Sequence, residues 1–391
     1  MKEIRRVPES VTLALIVLIF FLPSCTKKSY LENDNGLEVL HLSGSPVERG
    51  QAHGTLLREE IASSVDRWKT EVEQVFQCDL DTAIGEFFAS TTYLACIGES
   101  DPGLLQEVHG MSVASGVDYN RLLAFQMSEE MFAVLGEEGP VSCTAIGQKG
   151  TDTASTLLAQ NMDPELFLHG HPILMHVVPG DGGPERYLFT VPGLLGLAGM
   201  NDRGIGVTCT SISMLNHDSG GLPVVSVVRN MLSGRSLDEV ITFLTETSFA
   251  IPQCYTIGGP GEVRCFECSA NMVTEFYPFT TREIVLHTNH AITNRDFNQG
   301  FLELLAGYGK TVDDPYFCPR YFLAYDFIEE AGRVLDVERI KEILRSQEPE
   351  MEPILNQYTL GTLVMKLDND PVLFLALGNE PGAEFHRLEF P

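Results

Sequence analysis

The sequence changes character at Cys143, and this boundary restricts the folds that the chain can adopt. Upstream of it, residues 37–138 repeat apolar side chains at helical spacing, beginning with the helix start signal Ser45-Pro46. Downstream, short β-prone runs alternate with turns rich in glycine and proline. Two layers of antiparallel strands between helices would account for this order. The sequence therefore predicts an α+β chain with a helical N-terminal segment.

Cys143 itself lies at the head of a predicted hairpin. Gly139-Pro140 ends the preceding structure, and Thr144–Ile146 favours an extended strand. A second apolar strand over residues 156–160 leads to Asp163. A thiol in this position can act as a nucleophile if a neighbouring group takes its proton. If the peptide bond before the cysteine were cut, the new α-amine, with a pKa near ~8, could be that base.

The composition describes an acidic, globular chain. Hydrophobic residues make up 44% and charged residues 20% of the 391 residues, which is typical of a folded rather than a disordered protein. The formal net charge is −28. Because nucleic-acid backbones are also negative, we expect no nucleic-acid partner.

The first residues have the pattern of an export signal. Three basic residues precede an apolar run over residues 11–22, which is too short to span a bilayer. The run ends before Cys25 in a sequence that resembles a bacterial lipoprotein signal. We expect residues 1–24 to be removed, a lipidated Cys25 to anchor the protein to a membrane of the bacterial cell envelope, and residues 25–36 to form a polar tether. The alternative is an ordinary secretory signal with an incidental cysteine.

Five motifs follow in a fixed order: Gly44–Gly54, Cys143-Thr144, Ala159–Asp163, Gly199–Gly204 and His287–His290. Their order and spacing resemble the isopenicillin N acyltransferase family of N-terminal-nucleophile (Ntn) hydrolases. The resemblance implies an αββα sandwich of antiparallel sheets and a precursor that cuts itself before the cysteine. It also implies that residues 37–142 form a mostly helical pro-segment and that residues 143–391 form the catalytic fragment.

The resemblance further implies roles for four residues. Cys143 would be the nucleophile, attacking first the carbonyl before it and then a substrate amide. Asp163 would hold the α-ammonium group of the freed cysteine. Asn289 would donate a hydrogen bond to the oxyanion of the tetrahedral intermediate, and Asn201 would line the same oxyanion site.

Each of these residues also has a plainer interpretation. Cys143 could be a small buried side chain, and Asp163, which precedes a proline, could be a turn residue. Asn289 could be a hydrogen-bonded amide at the end of a strand, and Asn201 could cap a turn.

Two positions depart from the family pattern. Gln160 stands where the related choloylglycine hydrolases carry an arginine, and a late arginine of the family has Arg345 as its nearest candidate counterpart. Another set of residues, His169, His171 and His176, suggests a metal site, but no carboxylate or cysteine completes the set. We therefore expect these histidines to be ordinary loop and strand residues, and we expect no metal or organic cofactor.

These observations predict a self-processing cysteine enzyme that acts on small N-acyl amides through a thioester acyl-enzyme. Hydrolysis is favoured over acyl transfer, because an exported enzyme meets little acyl-coenzyme A. One alternative is a surface lipoprotein that keeps the fold as a binding module without catalysis. Another is a choloylglycine-type hydrolase of bile-salt amides.

The predicted anchor can be tested by fractionating a bacterial host that expresses the protein with its signal intact. We expect Cys25→Ala to move the protein from the membrane fraction to the soluble fraction, because acyl chains are the predicted means of attachment. Cys78→Ala, which leaves the signal unchanged, should stay with the membrane. A wild-type protein found in the soluble fraction would contradict the anchor.

Overall fold

The computed structural model describes residues 28–136, 142–152, 154–279, 283–314, 318–349 and 352–391. The predicted export signal, Cys25 and the turn at Gly139-Pro140 lie outside these residues. A helix long and apolar enough to cross a bilayer does not occur in the described ranges.

Within these ranges the chain forms twelve α-helices and fifteen β-strands. The helices are α1 (Pro46–Leu56), α2 (Arg58–Phe76), α3 (Leu80–Ser90), α4 (Tyr93–Ser100), α5 (Pro102–Ser115), α6 (Tyr119–Phe125), α7 (Ser128–Leu135), α8 (Val224–Met231), α9 (Leu237–Glu246), α10 (Gln299–Gly307), α11 (Pro319–Glu330) and α12 (Val337–Leu344). The strands are β1 (Tyr30–Asp34), β2 (Leu37–Gly44), β3 (Thr144–Gln148), β4 (Leu157–Met162), β5 (Ile173–Pro179), β6 (Arg186–Thr190), β7 (Ala198–Asn201), β8 (Gly206–Ser211), β9 (Gln253–Gly259), β10 (Glu262–Cys268), β11 (Val273–Glu275), β12 (Ile284–His287), β13 (Gly361–Lys366), β14 (Val372–Leu377) and β15 (His386–Glu389).

Two sheets face each other at the centre of the fold. The larger sheet has nine strands in the order β1-β2-β5-β6-β7-β8-β9-β10-β11, and the smaller has six in the order β12-β3-β4-β13-β14-β15. Strands β3 and β4 pack against β8 and β9. Helices α1, α8 and α9 contact the larger sheet, and α11 and α12 contact the smaller one. The predicted α+β class and αββα sandwich are therefore confirmed.

The central strands are buried on both faces, because sheet covers one face and helices cover the other. Every residue of β3 and of β4 is buried. Such strands read as nearly continuous apolar runs rather than as alternating ones. Polar side chains in them, such as Gln160 and Asn161, must therefore find partners inside the protein.

The N-terminal part of the chain differs from the prediction in two ways. Part of the predicted tether, Tyr30–Asp34, is strand β1, which pairs antiparallel with β2. Strand β2 in turn pairs parallel with β5, so the larger sheet is not wholly antiparallel and the predicted helical segment supplies one of its strands. The turn Asn35-Gly36, with φ of 51° and 100°, joins β1 to β2. An Asn-Gly pair between β-prone runs is a strong hairpin signal, but this hairpin was not predicted.

Helices α1 and α5 approach each other so closely that their backbones touch. A Cβ atom at Gly50 would lie 1.9 Å from the carbonyl oxygen of Glu107, and one at Gly110 would lie 2.4 Å from that of Val47. Glycines on both helices therefore make the contact possible, which is a physical reason for the glycines in the Gly44–Gly54 segment.

Gly50→Ala should lower the free energy of unfolding by about 1–3 kcal/mol, because the added methyl group forces the two helices apart. The matched control is Gly85→Ala in α3, where an added Cβ has no neighbour within 4 Å. There alanine should be neutral or should stabilise the helix by up to about 1 kcal/mol. Urea unfolding of both variants measures the difference. Equal stability of the two would show that the α1–α5 contact is not this close in solution.

Candidate active site

The register of the smaller sheet brings three of the predicted site residues to one place. Strand β3 lies between β4 and β12 and is antiparallel to both. Because antiparallel strands run in opposite directions, the start of β3 meets the ends of β4 and β12. Cys143 precedes β3, Asp163 follows β4, and Asn289 lies two residues beyond β12. The sequence predicted this grouping, and the strand order supplies its geometry.

A fourth residue, Arg320, joins this group and was not predicted. Its Nη1 donates to the carbonyl oxygens of Ser142, at 2.5 Å, and of Cys143, at 2.6 Å. Its Nη2 donates to Oδ1 of Asn289 at 3.1 Å. The side chain is buried and projects from the first turn of α11. One guanidinium group thus holds the peptide carbonyl before the thiol and the predicted oxyanion donor together.

Arg345, the nearest candidate in the sequence for the late arginine, makes its contacts elsewhere. Its guanidinium donates to the carbonyl oxygen of Ala383 and lies 4.4 Å from the ring centroid of Phe385. Arg345 follows α12, whereas Arg320 opens α11, and the sequence alone did not show which helix faces the start of β3. The sequence Cys318-Pro319 before Arg320 marks a helix start and was the available signal.

Asn289 is oriented by hydrogen bonds on both ends of its amide. Oδ1 accepts from Arg320, and Nδ2 donates to the carbonyl oxygen of Ser211 at 3.1 Å. The side chain is half-buried. Its Nδ2 still has a second N–H, so the amide can donate to an oxyanion without losing the bond that orients it.

Asp163 is a fully buried carboxylate that is only partly satisfied. Its Oδ2 accepts from Nδ2 of Asn356 at 2.7 Å, whereas Oδ1 has no hydrogen-bond partner. Burial raises the pKa of Asp163 to about 7, although Thr359, Asn356 and Arg320 act in the opposite direction. A buried oxygen without a donor is unusual for an ordinary turn residue, and it can accept a new donor.

The thiol of Cys143 is buried and protonated in the continuous chain. Burial, and then the negative charge of Asp163, raise the pKa of Cys143 to about 12. The backbone amide of Asp163, the Gln160 side chain and Arg320 lower it by smaller amounts. Gln160 donates from Nε2 to the carbonyl oxygen of Cys209 at 2.5 Å, and its Oε1 is buried without a partner. The uncleaved chain therefore lacks an activated thiolate at neutral pH.

Asn201 does not join the group, which contradicts its predicted role. It lies at the β7–β8 turn, where Oδ1 accepts from the backbone amides of Arg203 and Ile205, both at 3.0 Å. Its Nδ2 donates to the carbonyl oxygens of Leu232 and Gly234. The buried amide thus ties the turn to the end of α8. The alternative interpretation, a turn cap, is the one that the structure bears out.

A small cavity of about 50 Å³ lies beside Cys143. The start of α7 and the residues that follow β4 form part of its wall. Apolar side chains supply most of the remaining wall, namely Met162, Leu168, Leu194, Leu197, Val224 and Val225. Four carboxylates also line it: Glu129, Glu130, Asp163 and Glu165. The wall therefore combines an apolar surface with a concentration of buried acid groups.

Glu130 shows how this setting affects the acid groups. Its side chain is 1% exposed, and Oε1 accepts from the backbone amide of Val224 at 2.7 Å. Burial, followed by the charges of Glu129 and Glu165, raises the pKa of Glu130 to about 8. Glu129 accepts from Nε2 of Gln253 at 2.9 Å, and its pKa is also raised by burial. Glu130 is therefore mainly protonated at neutral pH.

Glu267 fixes the loop that carries Asn289. Its carboxylate contacts Nε2 of His287 at 2.9 Å and accepts from the backbone amides of residues 292–294 at 2.6–2.8 Å. Burial raises the pKa of Glu267, but His287 and these amides outweigh burial and lower it to about 2. This positioning role was not predicted, because nothing in the sequence of the strand around Glu267 shows which loop the side chain faces.

The histidines considered as metal ligands are separate in the fold. His171 Nε2 lies 2.7 Å from Oε2 of Glu38, and His176 Nε2 lies 3.1 Å from Oε2 of Glu185. In the part of the chain that the structure describes, no group of three or more histidine, cysteine or acidic side chains is arranged to hold a metal ion.

Residues 149–303 match the family described as acyl-coenzyme A:6-aminopenicillanic acid acyl-transferase. The match begins after Cys143 and ends before Arg320, and it includes Asp163 and Asn289. The resemblance predicted from the sequence is therefore confirmed over this segment, which is less than half of the chain.

Two proteins of Dictyostelium discoideum, dcd1B and dcd1A, are each 24% identical to this chain, over 241 and 240 residues. The alignments cover 55% and 53% of this chain, and 46% and 52% of the relatives. The chain thus spans about half the length of the curated relatives that it matches.

Among solved structures, this chain matches the Caenorhabditis elegans ortholog of N-acylethanolamine-hydrolyzing acid amidase, with 18% identity and a TM-score of 0.41. The match covers 57% of this chain and 92% of that one. A mutant conjugated bile acid hydrolase from Clostridium perfringens has 14% identity, a TM-score of 0.39, and coverage of 64% and 97%. Penicillin V acylase from Agrobacterium tumefaciens has 13% identity, a TM-score of 0.38, and coverage of 62% and 85%.

Because the pKa of Glu130 is raised in the folded state, the free energy of unfolding should fall as the pH rises. Its folded pKa of about 8 exceeds the ordinary value of 4.5, so the folded state holds a proton that the unfolded state releases. The stabilisation is complete below pH 4.5 and is lost as the pH rises to about 8. Glu130→Gln, which is always neutral, should therefore reduce the fall in Tm between pH 5 and pH 8 by about 2 °C or more.

Thermal unfolding across this pH range measures the effect. Glu338→Gln is the control for a general change in net charge, because the Glu338 side chain is 75% exposed. An unchanged pH slope in Glu130→Gln would show that Glu130 is not buried as a neutral acid.

Proposed function

We propose that this protein is a self-processing cysteine amidohydrolase or acyltransferase that acts on N-acyl amides through a thioester acyl-enzyme. The observation that carries the proposal is the hydrogen bond from Arg320 to the carbonyl oxygen of Ser142, at 2.5 Å. That carbonyl belongs to the peptide bond immediately before the thiol. The donor therefore stands where negative charge would develop if Cys143 attacked this bond.

Self-cleavage would begin with attack by Sγ of Cys143 on the carbonyl carbon of Ser142. The oxygen becomes an oxyanion, which the Arg320 guanidinium stabilises, and the thiol proton passes to the leaving backbone nitrogen. The C–N bond breaks and leaves the acyl group on sulfur as a thioester. Water then hydrolyses the thioester, giving a carboxylate on Ser142, a free thiol, and an α-amino group on Cys143.

The unpartnered oxygen of Asp163 supports a role after cleavage. In the continuous chain Oδ1 is buried with no donor. The new α-ammonium group of Cys143 is a cation that this carboxylate can hold, and the pair would offset the cost of burying each charge. The deprotonated amine can then take the thiol proton, a role that no group fulfils before cleavage. Cleavage and activity should therefore be coupled.

Turnover of a substrate would repeat the same chemistry on an external amide. The thiolate attacks the amide carbonyl, and Asn289, held in place by Arg320, donates to the oxyanion. The amine leaves with a proton from the α-ammonium group. Water then releases the acyl chain from the thioester, or an acceptor amine takes it. For a protein that we propose to be exported and anchored through Cys25, water is the favoured acceptor.

Access to the thiol requires a change in the wall of the cavity. Its volume of about 50 Å³ is well below the roughly 300–1,000 Å³ that small-molecule sites occupy. The start of α7, which belongs to the segment before Cys143, forms part of this wall. A break after Ser142 would free the C-terminal side of that segment, which is a physical route to a larger site.

The alternative of an inactive binding module loses its main support. That support was the lack of a secure counterpart in the sequence to the family's late arginine, and the Arg320 guanidinium beside Cys143 can take the role of such an arginine. No contact in the described residues favours a bile salt over another N-acyl amide, so the acyl group and the amine are left to a substrate panel.

Self-cleavage is tested by intact mass and N-terminal sequencing of purified protein. Wild type should yield a fragment that begins at Cys143, whereas Cys143→Ala should remain one chain and be inactive on N-acyl amides. Cys143→Ser should cleave slowly, because a hydroxyl group is the poorer nucleophile. Arg320→Lys should slow cleavage by about 100-fold, because the amine does not reproduce the guanidinium fork.

Cys78→Ala serves as the control and should cleave as wild type does. Wild-type protein that hydrolyses amides while it stays intact would falsify the self-processing step. Cys143→Ala that is still cut at the same bond would assign the cut to another protease.

A further inference from the structure

A second cavity, of about 600 Å³, shares no lining residue with the one beside Cys143. It lies where the starts of α1 and α5, the β5–β6 turn and the end of α8 meet. Its volume falls within the range of small-molecule sites, roughly 300–1,000 Å³. Three arginines line it, Arg49, Arg186 and Arg229, and they are only 4%, 7% and 5% exposed.

Two carboxylates lie among these arginines. Glu107, which is fully buried, accepts from Nη2 of Arg49 at 2.8 Å and from Nη2 of Arg229 at 3.1 Å. Asp101 accepts from Nε of Arg229 at 3.0 Å. Three guanidinium groups are thus balanced by two carboxylates, which leaves one positive charge uncompensated in the buried cluster.

Arg186 carries this excess charge. Its Nη1 donates to Oγ of Ser233 at 2.5 Å and to the carbonyl oxygen of Arg229 at 3.3 Å, and no carboxylate of the described residues lies within 4 Å of it. Its Nε is buried without a partner, as is Nε of Arg49. Burial, followed by repulsion from Arg229 and Arg49, lowers the pKa of Arg186 to about 10. A buried cation in this setting is stabilised by any anion that reaches it.

Two exposed carboxylates also line the cavity, but both already have donors. Glu48 is exposed and accepts from the backbone amide of Ser45 at 2.8 Å as part of the α1 capping box. Asp181 is exposed and accepts from the backbone amide of Gly183 at 2.9 Å. Because water screens exposed charges, the buried arginines dominate the floor.

We propose that this cavity is a binding site for an oxyanion of the phosphate or sulfate class, carried by a small molecule and held primarily by Arg186. A planar guanidinium group can bind two oxygens of such a group at once. The orphaned Nε of Arg186 and the uncompensated charge are the features that the anion would satisfy. The positive ends of α1 and α5, which open at the cavity, add to the attraction.

The site also joins the two segments on either side of Cys143. Arg49 and Glu107 precede the cysteine, whereas Arg186 and Arg229 follow it. A bound anion would therefore add a contact across the two segments whether or not the chain is cleaved. The proposal does not depend on the chemistry at Cys143.

The test is calorimetric titration of the full mature chain with inorganic phosphate and, separately, with sulfate, at fixed ionic strength set by sodium chloride. Wild type should bind at least one of them with a saturable signal. Arg186→Met, which keeps an unbranched side chain but removes the guanidinium group and its charge, should weaken binding by about tenfold or more. Arg387→Met, at a site where the side chain is 56% exposed, should bind as wild type does.

A second pair of variants tests the oxyanion site even if Arg186→Met does not fold. Asn230 lines the cavity and is half-buried. Asn230→Asp adds a negative charge there and should weaken oxyanion binding by about tenfold or more, whereas the neutral Asn230→Ser should change it little. Wild type that responds to phosphate and sulfate no more than to chloride would overturn the proposal. So would equal binding by Asn230→Asp and Asn230→Ser.

Discussion

The geometry of the candidate active site depends on the guanidinium group of Arg320. It is buried at the start of α11 and contacts the carbonyl oxygens of Ser142 and Cys143 as well as the side chain of Asn289. The guanidinium group thereby connects three stretches of chain that are far apart in sequence, namely those around Cys143, Asn289 and Arg320. A lysine ammonium group also has several N–H donors, but it lacks the rigid planar fork that contacts both carbonyl oxygens and the Asn289 side chain at once.

The pKa is lowered for some buried carboxyl groups of this protein and raised for others, depending on the groups that surround them. Glu107 and Glu267 have donors or cations around them, and the pKa of each is lowered to about 2. Asp163 and Glu130 have few donors, and burial raises their pKa to about 7 and about 8. The first two stabilise the fold as anions. The other two lie beside Cys143, where an acid whose pKa lies near neutral pH can exchange protons and, when ionised, can pair with a cation.

The segment before Cys143 is an integral part of the fold. Strand β2 is paired with β5 in the larger sheet, and α1 and α5 contact each other through glycines at backbone distance. The ion pairs of Arg49 and Arg229 with Glu107 connect this segment to the part of the chain that follows the cysteine. These contacts would hold the two fragments together after a cut between Ser142 and Cys143. Such a cut would thus change the surroundings of the thiol without dissociating the protein.

The sequence by itself determined the α+β class, the two-layer arrangement of strands, and the grouping of Cys143, Asp163 and Asn289, because each depends on local patterns and on motifs in order. It left Arg320, Glu267 and the β1 strand undetected, it offered Arg345 only as the nearest candidate for the late arginine, and it assigned Asn201 to the wrong place. The local sequence around an arginine at a helix start, or around an asparagine in a turn, is the same whether the side chain faces the thiol or a distant stretch of backbone. Only the packing of α11 and β10 against the start of β3 and the end of β12 decided which polar side chains share the site, because long-range contacts leave no periodic trace in the sequence.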